Sequence, residues 1–180
     1  MDHTKFLELC KDFKDVKICS SEQNQLDIIS EYGADFMSHI HNPTELVQLT
    51  AVKANGKAVK YIENPSEQVQ LAAIHEDNRS ITHIKHPTKQ VQLEAVKIHG
   101  YTIQYIENPS EEVQIEAVKS IPWAIVHIKH PTENVVREAL KNLDDGGIYA
   151  VLNERILCQF SELFVKEILD FAKVNEVISS

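Results

Sequence analysis

The sequence contains few cysteine and aromatic residues, no long hydrophobic run, and fewer basic than acidic residues. Its 3 cysteines form an odd set without metal-type spacing, which favours a reducing cytosol over a disulfide scaffold. With 27 acidic residues against 18 basic ones, the formal net charge is -9, which disfavours binding to a phosphate backbone. No apolar stretch approaches the roughly 20 residues of a membrane span, and the first residues lack a signal-peptide core. We therefore expect a cytoplasmic protein that has no membrane partner.

The sequence also lacks the short motifs that mark common catalytic sites. It contains no glycine-rich phosphate loop, no HExxH zinc motif, no nucleophile elbow and no CxxC pair. The scattered acidic residues form no recognisable acid and base pair. No residue can therefore be assigned to catalysis or to cofactor binding. We predict that the protein is not an enzyme and carries no cofactor.

One short segment repeats along the chain with a fixed period of 22 residues. Each copy opens with proline, which is followed by Ser or Thr and then, in all but the last copy, by Val, Gln, an aliphatic residue and Ala. The prolines that mark the period are Pro43, Pro65, Pro87, Pro109 and Pro131. A constant period in this range is typical of stacked repeats, in which each copy buries its apolar face only against its neighbours. The sequence therefore predicts an all-α fold, a right-handed α-solenoid of about six repeats.

Each repeat is predicted to contain a long helix and a short one. The long helix should start at the proline, with Asn108 as its N-cap and Glu111 completing a capping box. It should end near Gly56 or Gly100, because glycine adopts the left-handed conformation common at helix C-termini. The residues that remain before the next proline allow a turn or two of a second, short helix.

The segments outside the repeats are predicted to cap the stack. Apolar residues at helical spacing predict one capping helix in residues 1–20 and another in residues 153–180. The repeats fill residues 21–152, so that the whole chain, 1–180, forms a single domain. The aromatic residues of the last segment also allow dimerisation, and we expect a monomer or a homodimer.

Two sets of polar residues recur with the period. The first is expected to be buried and hydrogen-bonded to neighbouring backbone, because an unpaired buried amide is costly. Its members are Gln48, Gln70, Gln92 and Gln114. The second set alternates in sign, so that stacking should bring opposite charges together. Its members are Glu63, Lys85, Glu107 and Lys129.

The short helices carry the side chains most typical of protein interaction sites. In each of them, the first residue and the residue four positions later are expected to be neighbours on the helix surface. Aromatic, His and Arg side chains are enriched where proteins bind each other, and Trp123 is the only tryptophan. The alternative is that Trp123 and Tyr101 pack into the groove between repeats. The predicted partner-binding residues are Lys57, Tyr61, Arg79, His83, Tyr101, Tyr105, Trp123 and His127.

The 9 histidines suggest a metal site as a competing interpretation. His83 with His86, and His127 with His130, form pairs at a spacing of three residues. A zinc site needs further protein ligands at close range, and the adjacent repeats carry tyrosine at the matching position. His86 and His130 instead suit the turn position that asparagine takes in the other repeats, so we predict no metal ligand.

The segment ENPSEEVQIEAVK, from Glu107 to Lys119, resembles the short helical repeats of largely uncharacterised proteins of bacteriophages and bacteria. The resemblance covers roughly residues 21–152 and extends to the Tyr-Ile or His-Ile pair before each proline. It implies a HEAT-like α-solenoid adaptor of phage origin. By analogy with small acidic phage proteins, it implies a protein that binds and inhibits a host protein of antiviral defence.

Three functions of different classes compete at this point. The first is a non-catalytic solenoid for protein-protein interaction, and the repeat architecture favours it. The second is a HEAT-like protein that binds nucleic acid or, through its acidic surface, mimics it. The third is a metal-dependent enzyme that uses the histidines.

Overall fold

A computed structural model describes residues 21–141, 143 and 154–179. Every regular element in these residues is helical and no strand occurs among them, which confirms the predicted all-α class. The chain divides into two compact units between Pro87 and Thr88. The capping helix predicted for residues 1–20 lies outside the described residues, and the continuous stack of six repeats stays a prediction.

In the first unit, α-helices alternate with short 3-10 helices. The α-helices are α1 (Glu22–Tyr32), α2 (Glu45–Ala54) and α3 (Glu67–Glu76). The 3-10 helices are η1 (Ala34–His39), η2 (Gly56–Tyr61) and η3 (Asn78–His83). Within this unit α2 packs against α3, and η2 packs against η3. Each repeat is therefore a long helix and a short one, as the sequence predicts.

The second unit continues the same alternation and adds two further helices at its end. Its α-helices are α4 (Lys89–Ile98), α5 (Glu111–Ser120), α6 (Glu133–Leu140), α7 (Glu154–Leu157) and α8 (Glu162–Ser179). Its 3-10 helices are η4 (Gly100–Tyr105) and η5 (Pro122–His127). Within this unit α5 packs against both α4 and α6, and η4 packs against η5.

The long helices α2 to α6 each bury a valine and an alanine. Val47 and Ala51 in α2, and Val113 and Ala117 in α5, are 0% exposed. Each short helix adds two aliphatic side chains to the buried core. The second of them belongs to the residue with extended backbone that ends the helix, as Ile106 does for η4. Fully burying one such side chain contributes about 1.5–3 kcal/mol, so these repeated positions dominate the stability of each unit.

The long helices begin two residues after each proline, at a capping hydroxyl. Ser110 Oγ accepts a hydrogen bond from the backbone N–H of Val113 at 3.5 Å. The prediction that Asn108 is the N-cap is wrong, because the proline separates it from the helix. Asn108 instead adopts the left-handed conformation, with φ of 49°. The cap and the proline are thus adjacent, and the helix starts later than predicted.

Several of these caps are also bonded to the preceding long helix. Thr44 Oγ1 donates to Glu22 Oε2 at 2.5 Å, and Ser66 Oγ donates to Glu45 Oε1 in the same unit. In the second unit Thr132 Oγ1 donates to Glu111 Oε1 at 2.5 Å. One hydroxyl therefore both caps its own helix and joins it to the helix before.

The recurring glutamines bond to backbone, as predicted. The Nε2 group of Gln48, Gln70 and Gln114 donates to the carbonyl oxygen of Pro43, Pro65 and Pro109, respectively, at 2.9–3.0 Å. Gln70 and Gln114 are buried, whereas Gln48 is half-buried. Each glutamine thereby ties the first turns of its helix to the proline that precedes it.

Gly56 and Gly100 are required for a close approach and not for a left-handed turn. A Cβ at Gly56 would lie 2.5 Å from Ala73 O, and one at Gly100 would collide with Ala117 O and lie 3.0 Å from Ile121 N. Neither glycine has a positive φ, so the prediction of left-handed helix ends is wrong. The following long helix approaches the backbone here too closely for a side chain.

The end of the second unit contains two helices in place of the single capping helix predicted for residues 153–180. The hydroxyl of Ser161 accepts from Phe164 N–H at 3.4 Å and so starts α8 anew after α7. Phe164 and Ile168 are each 3% exposed. Arg137 in α6 pairs with Glu167, and its guanidinium lies 4.8 Å from the centre of the Phe164 ring. No helix of the described residues combines the length and apolarity that a membrane span requires.

Candidate partner-binding faces

The predicted partner-binding residues lie on the 3-10 helices, four in each unit. We call Lys57, Tyr61, Arg79 and His83 the first short-helix face. We call Tyr101, Tyr105, Trp123 and His127 the second short-helix face. Each face spans two short helices that pack against each other within one unit.

The pairs predicted within each short helix are not the pairs that the structure forms. A 3-10 helix has about three residues per turn, so side chains four positions apart point in different directions. Among the described residues, no ring contact joins Tyr101 to Tyr105 or Trp123 to His127. Contact instead runs between neighbouring short helices, from the start of one to the end of the next.

Aromatic rings cluster at the second short-helix face. The rings of Tyr101 and His127 meet edge to face, with 5.4 Å between their centres and an angle of 85°. The centre of the His99 ring lies 5.5 Å from the centre of the Tyr101 ring, with the two planes tilted by 48°. Edge-to-face pairs of this kind contribute about 0.5–1.5 kcal/mol beyond burial. Tyr101 therefore contacts two histidine rings.

Two large side chains of the second face remain accessible beside this cluster. Trp123 is 38% exposed and Tyr105 is 47% exposed. Tyr101 is half-buried. The alternative was that Trp123 and Tyr101 both pack into the groove between repeats. The lower exposure of Tyr101 fits this alternative better than the higher exposure of Trp123 does. Trp123 is free to contact another molecule with much of its ring.

Charged and polar groups occupy the corresponding positions of the first short-helix face. Lys57 Nζ lies 3.7 Å from Asp77 Oδ2, and Asp77 Oδ1 also accepts from Arg79 N–H at 3.0 Å. Tyr61 is 37% exposed, with Lys60 Nζ at 4.5 Å from its ring centre. A hydrogen bond to Tyr61 raises the pKa of Lys60 above its usual value. Lys57 and Arg79 therefore place charge where the second face has Tyr101 and Trp123, whereas both faces have Tyr and His at their other two positions.

A groove opens in the second unit next to its short-helix face. It is lined by residues 103–109, Gln114 and residues 127–130, and its volume is about 740 Å³. Tyr105 and His127 belong both to the groove and to the second short-helix face. We refer to it below as the second-unit groove.

Gln114 in the wall of this groove has an unpaired oxygen. The residue is 7% exposed, its Nε2 donates to Pro109 O at 2.9 Å, and its Oε1 has no hydrogen-bond partner. An unpaired buried acceptor costs about 1–3 kcal/mol. The glutamine ladder was predicted from the sequence, but the unpaired oxygen was not, because it depends on how the surrounding loops close over the amide.

Two other groupings suggested by the sequence can be tested against the coordinates. Within the part of the chain that the structure describes, no group of three or more His, Cys, Asp or Glu side chains is placed to hold a metal ion. In that same part, no ion pair joins Glu63 to Lys85 or Glu107 to Lys129. The predicted charge ladder is therefore not formed within either unit, since these exposed side chains gain little by ordering.

Comparison of the chain with family models, with curated proteins and with solved structures finds no match. The assignment of a function therefore depends on the chemistry of the surfaces described above.

Proposed function

We propose that this protein is a non-catalytic protein-binding module that contacts its partner through the second short-helix face. The exposed Trp123 beside the ordered Tyr101 and His127 pair is the observation that supports this proposal most strongly. Tryptophan and tyrosine dominate the energetic centres of protein interfaces, because they bury a large area at a small entropic cost. The resemblance of the repeat to phage proteins suggests a bacterial host protein, such as a defence factor, as the partner.

The fixed geometry of Tyr101 favours recognition over flexible adhesion. Its ring is already oriented by His99 and His127, so less conformational freedom is lost when a partner covers it. Tyr105 and Trp123, on the same two short helices as this pair, supply accessible area. A partner with an apolar, complementary patch is therefore the expected ligand of the face.

A capture experiment with paired variants tests the proposal. The partner is captured from a bacterial extract on wild-type protein, identified, purified and titrated against each variant. Replacement of both Trp123 and Tyr101 by Ala should weaken its binding by about 30-fold or more, as expected for an interface centre. Replacement of Lys57 and Arg79 by Ala, on the first short-helix face, is the matched control and should change affinity little.

Circular dichroism and thermal unfolding establish that both double variants are folded. Equal affinity of the Trp123 and Tyr101 variant and the wild-type protein would contradict the proposed face. A large loss in the control variant alone would move the binding site to the first unit.

A further inference from the structure

The second-unit groove combines an unpaired acceptor with polar groups of both signs at its rim. The acceptor is Gln114 Oε1, whose amide nitrogen is already used by Pro109 O. Glu107 and Lys129 line the same groove, and both are exposed. Ile103, Ile106 and Ile128 supply apolar lining between these polar groups.

This arrangement selects among ligands by chemistry. An unpaired acceptor in the wall disfavours anions and favours a group that donates a hydrogen bond. One negative and one positive side chain at the rim give no preference for a ligand of either net charge. A backbone amide meets all of these conditions, because it is uncharged and offers a donor and an acceptor side by side.

We propose that the second-unit groove takes an extended peptide segment of the partner protein, with one backbone N–H of that segment donating to Gln114 Oε1. The proposal rests on the function proposed above and specifies how part of the partner is held. Its volume of 740 Å³ is within the range of ligand sites, about 300–1,000 Å³. Main-chain hydrogen bonds supply affinity in this mode, and flanking side chains supply specificity.

The position of the groove supports a peptide over an isolated small molecule. Tyr105 and His127 line both the groove and the second short-helix face, so a partner bound at that face is adjacent to the groove. Gln114 Oε1 is itself buried, so the wall must yield for a donor to reach it. A segment tethered by contacts at the face can drive this displacement.

The test uses a randomised peptide library displayed on phage and selected on the full-length protein. Binding of the best selected peptide is then measured by fluorescence anisotropy for wild type, Gln114→Met and Gln70→Met. Gln70 is the matched control, because its Nε2 donates to Pro65 O at 2.9 Å in the first unit and it does not line this groove. We expect Gln114→Met to weaken binding by about tenfold and Gln70→Met to leave it unchanged.

Backbone methylation of the peptide identifies the donated hydrogen bond. Each amide of the selected peptide is N-methylated in turn, which removes one N–H at a time. One methylated peptide should bind wild type more weakly than the parent peptide does. On Gln114→Met, this methylated peptide and the parent peptide should bind with equal affinity. Failure to select any peptide, an unchanged affinity for Gln114→Met, or the same methylation profile for both proteins would overturn the proposal.

Partner capture separates failure of this inference from failure of the proposed function. If Gln114→Met retains the captured partner while the Trp123 and Tyr101 variant loses it, the groove proposal is wrong and the proposed function stands. If both variants retain the partner at full affinity, both proposals are wrong.

Discussion

The two units share their buried framework and differ on the face that their short helices expose. In both units valine and alanine of the long helix are fully buried, and glutamine bonds to the proline carbonyl. At equivalent exposed positions the first unit has Arg79 and the second has Trp123. The repeat therefore constrains the interior, and its exposed positions can change chemistry without changing the helices.

The starts of the short helices show the same difference. In the first unit Asn55 and Asp77 cap η2 and η3 by accepting from Lys57 N–H and Arg79 N–H at 3.1 and 3.0 Å. In the second unit neither η4 nor η5 has a side-chain cap. Its cap position holds His99, whose ring packs on Tyr101 instead. The second unit thus gives up a polar cap and gains an aromatic contact at the same place.

The largest expected effect comes from the close-approach glycine that each unit contains. Gly100→Ala should destabilise the protein by about 1–3 kcal/mol, because the new Cβ meets the Ala117 carbonyl and the Ile121 backbone. Gly56→Ala should destabilise the protein by a similar amount, because its Cβ would lie 2.5 Å from Ala73 O and 2.8 Å from the hydroxyl of Ser80, which is 0% exposed. Urea unfolding measures both, with the exposed change Lys97→Ala as control. A much larger loss at one glycine would show that the two units pack differently here.

The caps provide a second, smaller comparison. Ser66→Ala removes both a helix cap and the hydrogen bond to Glu45. Ser110→Ala removes only a cap. The preceding helix α4 begins with Lys89, which pairs with Glu112 and offers Ser110 no carboxylate. Loss of a cap costs about 0.5–2 kcal/mol, and we expect Ser66→Ala to lie nearer the upper end. Unfolding free energies of the two variants check this order. Ser66→Thr retains the hydroxyl and should stay close to wild type.

Exchange of one residue between the faces should transfer the aromatic contact. His83 holds in the first unit the position that His127 holds in the second, so Lys57→Tyr should create an edge-to-face pair with His83. The gain is about 0.5–1.5 kcal/mol, less the small contribution of the exposed Lys57–Asp77 ion pair. Proton NMR should show the His83 ring signals displaced by the new ring. Tyr101→Lys is the reverse exchange and should return the His127 signals to ordinary positions.

Acid should produce the smallest effect and should act on the second unit. Hydrogen bonds from Thr132 and Asn134 lower the pKa of Glu111, and a hydrogen bond from Arg137 lowers that of Glu167. A carboxyl with a lowered folded pKa stabilises the protein above its unfolded pKa, near 4.5, and this contribution is lost as pH falls through the folded value.

Denaturant titrations from neutral pH to below 4.5 should therefore show wild type converging on the Glu111→Gln, Glu167→Gln double variant. Hydrogen exchange should place the loss in α5, α6 and α8. A constant difference between the two proteins across this range would contradict the assignment.

Periodic features of the sequence predicted the parts of the fold that depend on local pattern. The buried valine and alanine positions and the glutamine bonds follow from a 22-residue period and a helical wheel. The asparagine cap was wrong because Ser and Asn are equally good caps, and only the backbone path around the proline decides between them. The role of Gly56 was also misassigned, since a close approach depends on a helix one repeat away.

The site was less predictable than the fold. The residues of both short-helix faces could be chosen from composition, and their role in binding stays a prediction. Their pairing could not be chosen, because about seven residues do not distinguish an α-helical turn from a 3-10 turn. The sequence did not predict the role of His99, which contacts Tyr101 from a cap position. It also did not predict the unpaired oxygen of Gln114, a residue that lines the second-unit groove.

The bonds between capping hydroxyls and glutamates have a direction along the chain. In each one, the carboxylate that accepts belongs to the earlier helix, as for Glu22 with Thr44 and Glu111 with Thr132. During synthesis the acceptor therefore leaves the ribosome before the hydroxyl that bonds to it. Where such a bond forms, the newly emerging helix meets an acceptor on the helix already made, which favours assembly from the amino-terminal end.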